Sequence, residues 1–570
     1  MTGFIKSKNQ LATTILFSLI ITFGIIVSFS YVDNIILHYV ELFFHKTLRD
    51  PARWIDIIQN TSALVIFSLC VIYFFCYINY GIKIKNEIKT ILQDYKKKYA
   101  TKNNLILFLL IIVFLFLSYF SIISANFYYA DDLFRNYGGN RSWIGFSRYI
   151  SEFGSIFIHN SLKLNDIAPL TQFIAIAIAS ITIIILSISL TDSLKIKSLI
   201  ATSIIFIAPY YAENISYRFD APYMAISLFF AAVPFLFKTN TKAYISVSIL
   251  SLILTCISYQ AALPLYILTV IYLFIKQFIK RENLLTSIKF VFQSVISFII
   301  ALVIFKLFFM NKMTVEDDSY FSSTIRITSF FKNCTTYLRM ALSLNGGLLT
   351  KVLFLLSIVM LLLNVTICTK QNKLLSLTLV ITAILVSAIL SFGPYLVFEH
   401  PVFAPRAFMG FNVFMSFIVL GLSDFATEYK SLEFTNKIIN YIFVYSCIVF
   451  LFAYGNTLKK QNEYENFRIS MILNDISEYT TKSETYNISF IGNIDLCEKN
   501  RIALKNYPLL KNIVPTRLSE NSIWNEEYLN GYNFKCTTEK KNLTSNFILA
   551  KQTYYHDIYQ YNNNFIIVLK

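Results

Sequence analysis

Two adjacent aspartates, Asp131 and Asp132, come shortly after a long apolar run at 105–125. That run is long enough to cross a bilayer, so these carboxylates stand at the mouth of a membrane helix, where charge is costly. Three arginines follow them closely: Arg135, Arg141 and Arg148. A carboxylate here could act as a general base on an attacking hydroxyl, and an arginine could hold a phosphate through its planar guanidinium. The alternative is a solvated loop whose charges pair locally.

Further polar and aromatic residues recur near the ends of later apolar runs: Trp143, Asp166, Gln172, Arg218, Asp220, Tyr259, Gln260, Glu399 and Arg406. Each is weak evidence alone, because a polar residue at a helix end is often a packing contact. The charges of the intervening loops place all of them on one side of the membrane. Their recurrence there predicts a polar cavity, with Arg135, Arg148, Arg218 and Arg406 as candidate phosphate ligands.

The composition is that of a membrane protein. Of 570 residues, 56% are hydrophobic and 15% are charged, whereas soluble proteins are about 25% charged. Repeated apolar runs predict an all-α polytopic fold with about 13 transmembrane helices. The net charge of +17 is concentrated in short loops, where it sets topology, so it does not indicate nucleic acid. No Rossmann or P-loop glycine pattern is present, which disfavours a nucleotide-sugar donor on a soluble domain.

Loop charge predicts the orientation and the domains. The basic loop Lys83–Lys102 is expected in the cytoplasm, which puts the Asp131-Asp132 loop outside. We predict three parts: a transmembrane hairpin with its basic loop at 1–104, a membrane core at 105–454, and a C-terminal domain at 455–570. The last of these has the patterning of a small α/β domain.

The C-terminal domain has aromatic residues suited to a role beside the active side of the membrane: Trp524, Tyr528 and Tyr532. We expect it to sit over that side and to help hold an acceptor glycan, the alternative being simple stabilisation of the membrane part. Cys497 and Cys536 could form a disulfide there, or remain unpaired. No pair of cysteines or histidines has metal-site spacing, so no metal and no cofactor are predicted.

In their order along the chain, these motifs resemble the O-antigen (serotype-conversion) glucosyltransferases of bacteria and phages, the glucosyl transferase II type. The likeness spans about 128–410 and rests on this set: Asp131-Asp132 with Arg135, Trp143 and Arg148, Asp166 with Pro169 and Gln172, Tyr217-Arg218 with Asp220, Tyr259-Gln260, and Pro405-Arg406. These proteins are C-type membrane glycosyltransferases. The resemblance implies that the acidic pair is the catalytic feature.

The resemblance also implies a reaction and its partners. The donor would be undecaprenyl phosphate glucose, and the acceptor would be an O-antigen glycan of lipopolysaccharide, on the periplasmic side of the bacterial inner membrane. A polyprenyl phosphate glucosyl synthase and a flippase would be linked to it functionally. Direct displacement with Asp131 or Asp132 as base would invert the anomeric centre. Neighbouring residues usually point in different directions, so the two aspartates are expected to have unequal roles.

Two other readings are compatible with the same residues. An O-antigen polymerase or ligase is also a lipid-glycan enzyme, but it relies on one large outer loop rich in Arg and His. A transporter of lipids or solutes would place charges at the bilayer midplane and would be built from repeated halves. In this chain the charges lie at the ends of apolar runs and no repeat is apparent.

Overall fold

The computed structural model describes residues 82–310, 322–343, 346–425, 430–482 and 484–570. The chain divides into two units, 1–98 and 99–570. The described residues of the first unit belong to helix α1 (Ile82–Tyr99), whose last turn carries three consecutive lysines. The two transmembrane helices predicted before it lie outside the described residues.

Apolar helices dominate the second unit. Eight helices in the described ranges are long and apolar enough to cross a membrane: Lys102–Ala125, Leu170–Thr191, Gln260–Ile279, Leu284–Phe308, Leu348–Cys368, Lys373–Leu390, Pro405–Phe425 and Lys430–Ser477. Three shorter apolar helices accompany them: Ile196–Ile207, Ala221–Phe237 and Thr241–Cys256. The fold is therefore that of a mostly helical membrane protein, and the total of about 13 spans stays a prediction.

In chain order the helices of this unit up to the C-terminal sheet are α2 (Lys102–Ala125), α3 (Asp132–Gly138), α4 (Tyr149–His159), α5 (Leu170–Thr191), α6 (Ile196–Ile207), α7 (Tyr211–Ser216), α8 (Ala221–Ala232), α9 (Thr241–Cys256), α10 (Leu263–Ile279), α11 (Leu284–Phe308), α12 (Phe330–Ser343), α13 (Leu348–Cys368), α14 (Lys373–Leu390), α15 (Met409–Phe425) and α16 (Lys430–Ser477). Helix α15 is buried along almost its whole length and packs against α6 and α13, so it forms the centre of the bundle. Between α11 and α15, strand β1 (Ser322–Ile325) pairs with β2 (Phe398–His400).

Helix α16 continues well beyond the membrane core. Its 48 residues run through the predicted boundary between residues 454 and 455 without a break. Gly455 is buried against the backbone of Ser121 and Ile122 on α2, where a Cβ would meet backbone atoms at 2.4–2.5 Å. A glycine here lets the two helix backbones approach closely. The residue with which the predicted C-terminal domain begins is thus part of the packing between α2 and α16.

The described residues that follow α16, called the sheet domain below, fold around a mixed five-stranded sheet in the order β4-β3-β7-β6-β5. Its strands are β3 (Tyr486–Ile491), β4 (Cys536–Thr538), β5 (Ile548–Gln552), β6 (His556–Tyr561) and β7 (Asn564–Leu569). The apolar patterns at 486–491 and 565–569 predict two short buried strands, and strands β3 and β7 lie at these positions. The end of α16 packs on this sheet through Ile469, Ile472 and Ile476. Through this apolar stripe, one continuous helix, α16, contacts both the membrane core and the sheet.

The disulfide considered for Cys497 and Cys536 is wrong for this structure, in which both are free, buried thiols. Each is held on a different element. The Cys497 N–H donates to Gln461 Oε1 on α16 (2.7 Å), whereas the Cys536 N–H at the start of β4 donates to Asn530 Oδ1 (3.0 Å).

The polar loops of the bundle gather at its two ends. One end, called the lysine end below, contains ion pairs such as Lys276–Asp424 (2.8 Å) and Lys238–Asp192 (2.8 Å). The other end, called the site end, contains the Asp131-Asp132 loop and the segments around Asp220, Gln260 and Arg406. The structure therefore brings these distant polar segments to one end of the bundle.

Candidate active site

A cavity of about 480 Å³ lies at the site end and is called the charged cavity below. Seven of the residues proposed from sequence line it: Asp131, Arg135, Arg148, Asp220, Tyr259, Gln260 and Arg406. Its other walls are largely apolar and include Phe305, Phe398 and Val402. The sheet domain also contributes to it through Trp524. Concave sites with an apolar lining and a few convergent polar groups are typical of ligand-binding cavities.

Two carboxylates line this cavity, and Asp131 is the one that is not paired with an arginine of the described residues, whereas Asp220 pairs with Arg135. Asp131 follows Ala130, which has a left-handed φ of 45°, and it stands just before α3 without capping that helix. Its side chain makes no hydrogen bond or ion pair with any residue that the structure describes. It is exposed to the cavity but otherwise enclosed by protein, and this desolvation raises the pKa of its carboxyl. Asp220 adds to the rise, and Arg135 opposes it.

Asp132 is completely buried and points away from the cavity. Its oxygens accept from the backbone N–H groups of Tyr129 (2.9 Å), Arg218 (3.2 Å) and Phe219 (3.4 Å). Burial raises the pKa of the Asp132 carboxyl to about 8, against the opposing effect of these donors and of the Arg218 charge. Asp132 therefore connects the Asp131-Asp132 loop to the 217–219 turn through hydrogen bonds. The two neighbouring aspartates thus have different surroundings.

Arg148 is the cation of the cavity for which the described residues supply no carboxylate. Its guanidinium lies 4.5 Å from the ring centre of Tyr259 and 5.1 Å from that of Phe146. Its buried Nε has no hydrogen-bond partner there. Aromatic faces stabilise a guanidinium without using its N–H donors, so these donors remain able to bind an anion.

The other two cavity arginines are held by acids. Arg135 Nε lies 3.2 Å from Asp220 Oδ2, and its guanidinium stacks 3.9 Å from the ring centre of Trp143. Arg406 Nη1 lies 2.8 Å from Glu213 Oε1. Their orientation is therefore fixed before any ligand enters. The paired carboxylates also offset part of the positive charge of these two arginines.

Several proposed residues support the walls and do not line the charged cavity. Trp143 is fully buried, and its indole N–H donates to Asp220 Oδ1 (2.5 Å). Arg218 Nη1 pairs with Asp166 Oδ2 (2.5 Å), which also accepts from the Tyr128 hydroxyl (2.9 Å).

Two more proposed residues are likewise engaged elsewhere. Gln172 Nε2 donates to the Ile215 carbonyl (3.2 Å). Glu399 forms an ion pair with Arg326. Neither side chain lines the charged cavity.

The structure adds two acids that the sequence analysis did not select. Glu213 holds both the guanidinium and the backbone N–H of Arg406, the latter at 2.6 Å. Glu152 accepts from the Trp143 N–H (2.9 Å) and pairs with Arg141 (3.1 Å). The sequence signal that could have selected Glu213 and Glu152 is a single acid within an apolar segment. Such an acid is expected to be buried with a partner, because a buried carboxylate needs one.

The sheet domain holds the loop that carries Asp131. Leu133 of α3 belongs to the apolar core of the sheet domain. The Tyr129 hydroxyl donates to the Ile513 carbonyl (2.9 Å), and Arg517 lies 4.6 Å from the ring centre of Phe127. These contacts fix both ends of the loop, so the position of Asp131 depends on residues far along the chain. Within the described ranges, no group of three or more His, Cys, Asp or Glu residues could hold a metal ion.

A bundle of apolar helices with a charged, partly apolar cavity at one end defines a membrane protein with a candidate ligand site at that end of the bundle. Glucosyl transferase GtrII is the family that matches, over residues 120–417. This match covers more than half of the chain, so the chain belongs to that family of membrane glycosyltransferases. The match also confirms the resemblance found in the sequence.

A protein of Salmonella phage P22, described as an uncharacterized 55.3 kDa protein in the gtrB 5′ region, is 27% identical over 427 residues. The alignment covers 71% of this chain and 86% of the phage protein. No solved structure matches the chain.

Proposed function

We propose that this chain transfers glucose from undecaprenyl phosphate glucose to an O-antigen glycan, at the charged cavity and on the periplasmic side of the bacterial inner membrane. Its family supports the transfer of a glucosyl group. The observation that carries the proposal further is the pair Asp131 and Arg148. They are opposite charges on one cavity, and among the described residues neither forms an ion pair.

Asp131 is the proposed base. The acceptor hydroxyl oxygen forms a bond to C1 of glucose while the bond from C1 to the phosphate oxygen breaks. The hydroxyl proton passes to Asp131, and the electron pair of the broken bond leaves with undecaprenyl phosphate. A desolvated carboxylate with a raised pKa is a stronger proton acceptor than an ordinary one. A single displacement inverts C1, so a β-linked donor gives an α-linked branch.

Arg148 is the proposed main ligand of the donor phosphate, with Arg135 and Arg406 as preoriented neighbours. A phosphodiester carries one negative charge before transfer and gains another as it leaves. Fixed guanidinium donors in an enclosed site stabilise that growing charge. Arg218 has the weaker case, because its charge is already matched by Asp166 outside the cavity.

The apolar wall of the same cavity suits the first isoprene units of the donor. Phe305, near the end of α11, and Met310, just beyond it, both line the cavity. A lipid-linked donor also needs an enzyme that charges the lipid with glucose and a protein that flips it across the bilayer. A polyprenyl phosphate glucosyl synthase and a flippase are therefore the proposed functional partners.

The test is glucosylation of O-antigen by cells that make the full-length chain, measured by mass spectrometry at matched protein levels. Asp131→Asn should lower the rate by roughly 10²–10⁴. Asp132→Asn is the matched control. It replaces an acceptor oxygen with a donor facing backbone N–H groups, so it should reduce the amount of folded protein and leave the rate per folded molecule within a few-fold.

Near-normal glucosylation by Asp131→Asn would contradict the proposed mechanism. Longer O-antigen chains with unchanged glucose content on expression of the wild type would favour a polymerase. Accumulation of donor lipid on the periplasmic side without transfer would favour a transporter.

A further inference from the structure

A second cavity, of about 330 Å³, lies between α3 and the sheet domain and is called the tyrosine cavity below. It is lined by Tyr137 and Asn136 of α3, by Asn466 of α16, and by Glu527, Tyr528 and Tyr532 of the sheet domain. Asp131 and Arg148 do not line it. The proposed transfer reaction therefore gives this cavity no role.

Two aromatic residues of this cavity, Tyr137 and Tyr532, are well exposed, whereas Tyr528 is buried. The side chain of Tyr137 is 58% exposed and that of Tyr532 is 43% exposed. Exposed aromatic faces bury much area against a ligand at low cost in conformational entropy, because a tyrosine has two side-chain torsions. The C–H faces of a pyranose ring are a natural partner for such surfaces.

The polar groups of this cavity suit hydroxyls that both donate and accept. Asn466 Oδ1 already accepts from the hydroxyls of Tyr528 (3.0 Å) and Tyr532 (3.2 Å), which fixes its amide plane and leaves Nδ2 as a donor. The Asn136 side chain is exposed and makes no hydrogen bond with the described residues. Glu527 Oε2 is buried and has no donor among the described residues. A sugar hydroxyl supplies the missing donor.

Charge argues against an anionic or lipid ligand here. The cation of this cavity, Arg517, is already paired with Glu465 Oε2 (2.5 Å) and donates to Asn462 Oδ1 (2.7 Å). A phosphate would instead meet the carboxylate of Glu527. A polyprenyl chain needs a continuous apolar lining, which these amide side chains interrupt.

The two cavities share their dividing elements. Asp131, just before α3, lines the charged cavity, whereas Asn136 and Tyr137 of that helix line the tyrosine cavity. Likewise Trp524 lines the first and Glu527 the second. A seven-residue helix is about 10 Å long, so a glycan of a few sugar units can reach both cavities.

We propose that the tyrosine cavity binds units of the acceptor glycan that flank the sugar being modified in the charged cavity. This inference rests on the proposed function, because it names the polymeric acceptor as the ligand. It makes the enzyme prefer a polysaccharide to a single repeat, since only the longer acceptor occupies both cavities.

The experiment compares two acceptors with the purified full-length protein in lipid nanodiscs. They are unmodified O-antigen polysaccharide and its single repeat unit, both prepared from a host strain that lacks this gene.

Tyr137→Ala and Asn136→Ala alter exposed side chains and should fold. Each should raise the KM for polysaccharide, about tenfold for Tyr137→Ala. The KM for the single repeat, the KM for donor and kcat should stay unchanged. Tyr554→Ala, which removes a largely exposed ring elsewhere on the sheet domain, is the matched control.

An unchanged KM for polysaccharide in both variants would overturn the inference, and so would an equal loss with the two acceptors. A titration of polysaccharide without donor separates this failure from failure of the proposed function. Binding that weakens in Tyr137→Ala, with no glucose transfer by the wild type, would keep the glycan site and reject the transferase. Transfer by the wild type, with polysaccharide binding that does not depend on Tyr137, would keep the transferase and reject the glycan site.

Discussion

The two ends of the helix bundle treat charge differently. At the lysine end, Lys276 and Asp424 are buried together at 2.8 Å, and the Tyr272 hydroxyl also donates to Asp424 (3.2 Å). At the site end, Asp131 and Arg148 line one cavity, and neither has an ion-pair partner among the described residues. Both ends thus keep charged groups beside an apolar bundle, but Lys276 and Asp424 neutralise each other within the protein, whereas Asp131 and Arg148 each lack such a partner among the described residues.

This difference shows that charge near a membrane helix is not sufficient to identify a site. A charge that is paired and hydrogen-bonded inside the protein offers little to a ligand, because a ligand would have to break those contacts. A charge without a protein partner, facing a cavity, still has its interaction free energy available for binding or catalysis. The same distinction separates Arg148 from Arg218, and Asp131 from Asp132.

The largest effect that would test this comparison is at the lysine end. Lys276→Met leaves Asp424 as a buried carboxylate without its cation, which should lower the free energy of unfolding by about 3–5 kcal/mol. The rate of glucosyl transfer per folded molecule should not change, since the pair lies at the opposite end from the charged cavity. Chemical unfolding in detergent and transfer assays on the same samples measure both quantities.

The double variant Lys276→Met/Asp424→Leu serves as the control for that result. Removing both charges should restore most of the stability, because no buried carboxylate remains unpaired. A fall in kcat with unchanged stability would instead give the lysine end a part in the reaction.

At the site end, the expected effect of charge is on binding. Arg148→Ala should raise the KM for the lipid-linked donor by roughly 10–100-fold, the range expected for a hydrogen bond to a charged phosphate. Arg148→Lys should recover part of this, since it restores the charge without the planar fork. Arg326→Ala is the matched control, because it removes an exposed arginine whose ion pair with Glu399 contributes little. Donor titrations that give equal KM values for wild type and Arg148→Ala would remove Arg148 from the phosphate site.

Much of the architecture could be predicted from the sequence, because apolar length and loop charge are local signals. The helical membrane core and strands β3 and β7 follow from such patterns. The membership of the family followed from an ordered set of short motifs, such as Asp131-Asp132 and Tyr259-Gln260. Seven of the proposed site residues line one cavity for the same reason, since each lies at a helix end on the same side.

Long-range pairing could not be predicted in this way. Nothing near Arg218 in sequence indicates that Asp166 neutralises it, and nothing near Arg406 indicates that Glu213 does. The dependence of α3 on the sheet domain is equally hidden, because Leu133 joins an apolar core formed by residues more than three hundred positions later. A single apolar residue in so short a helix carries no periodic signal.

The smallest effect concerns pH, and it tests the environment of Asp131 directly. As a base, Asp131 must be deprotonated, so kcat/KM should rise as the pH increases through its pKa and fall below it. Desolvation in the cavity raises that pKa, so the acidic limb should lie above the usual 3.8. Asp220→Asn removes a neighbouring negative charge and releases Arg135 from its ion pair, and both changes favour the ionised form of Asp131. The limb should therefore move to lower pH. Profiles of kcat/KM between pH 4 and 8 measure this, with Glu399→Gln as a control outside the cavity. A limb at or below 3.8 in the wild type, or a shift to higher pH in Asp220→Asn, would mean that another group accepts the proton.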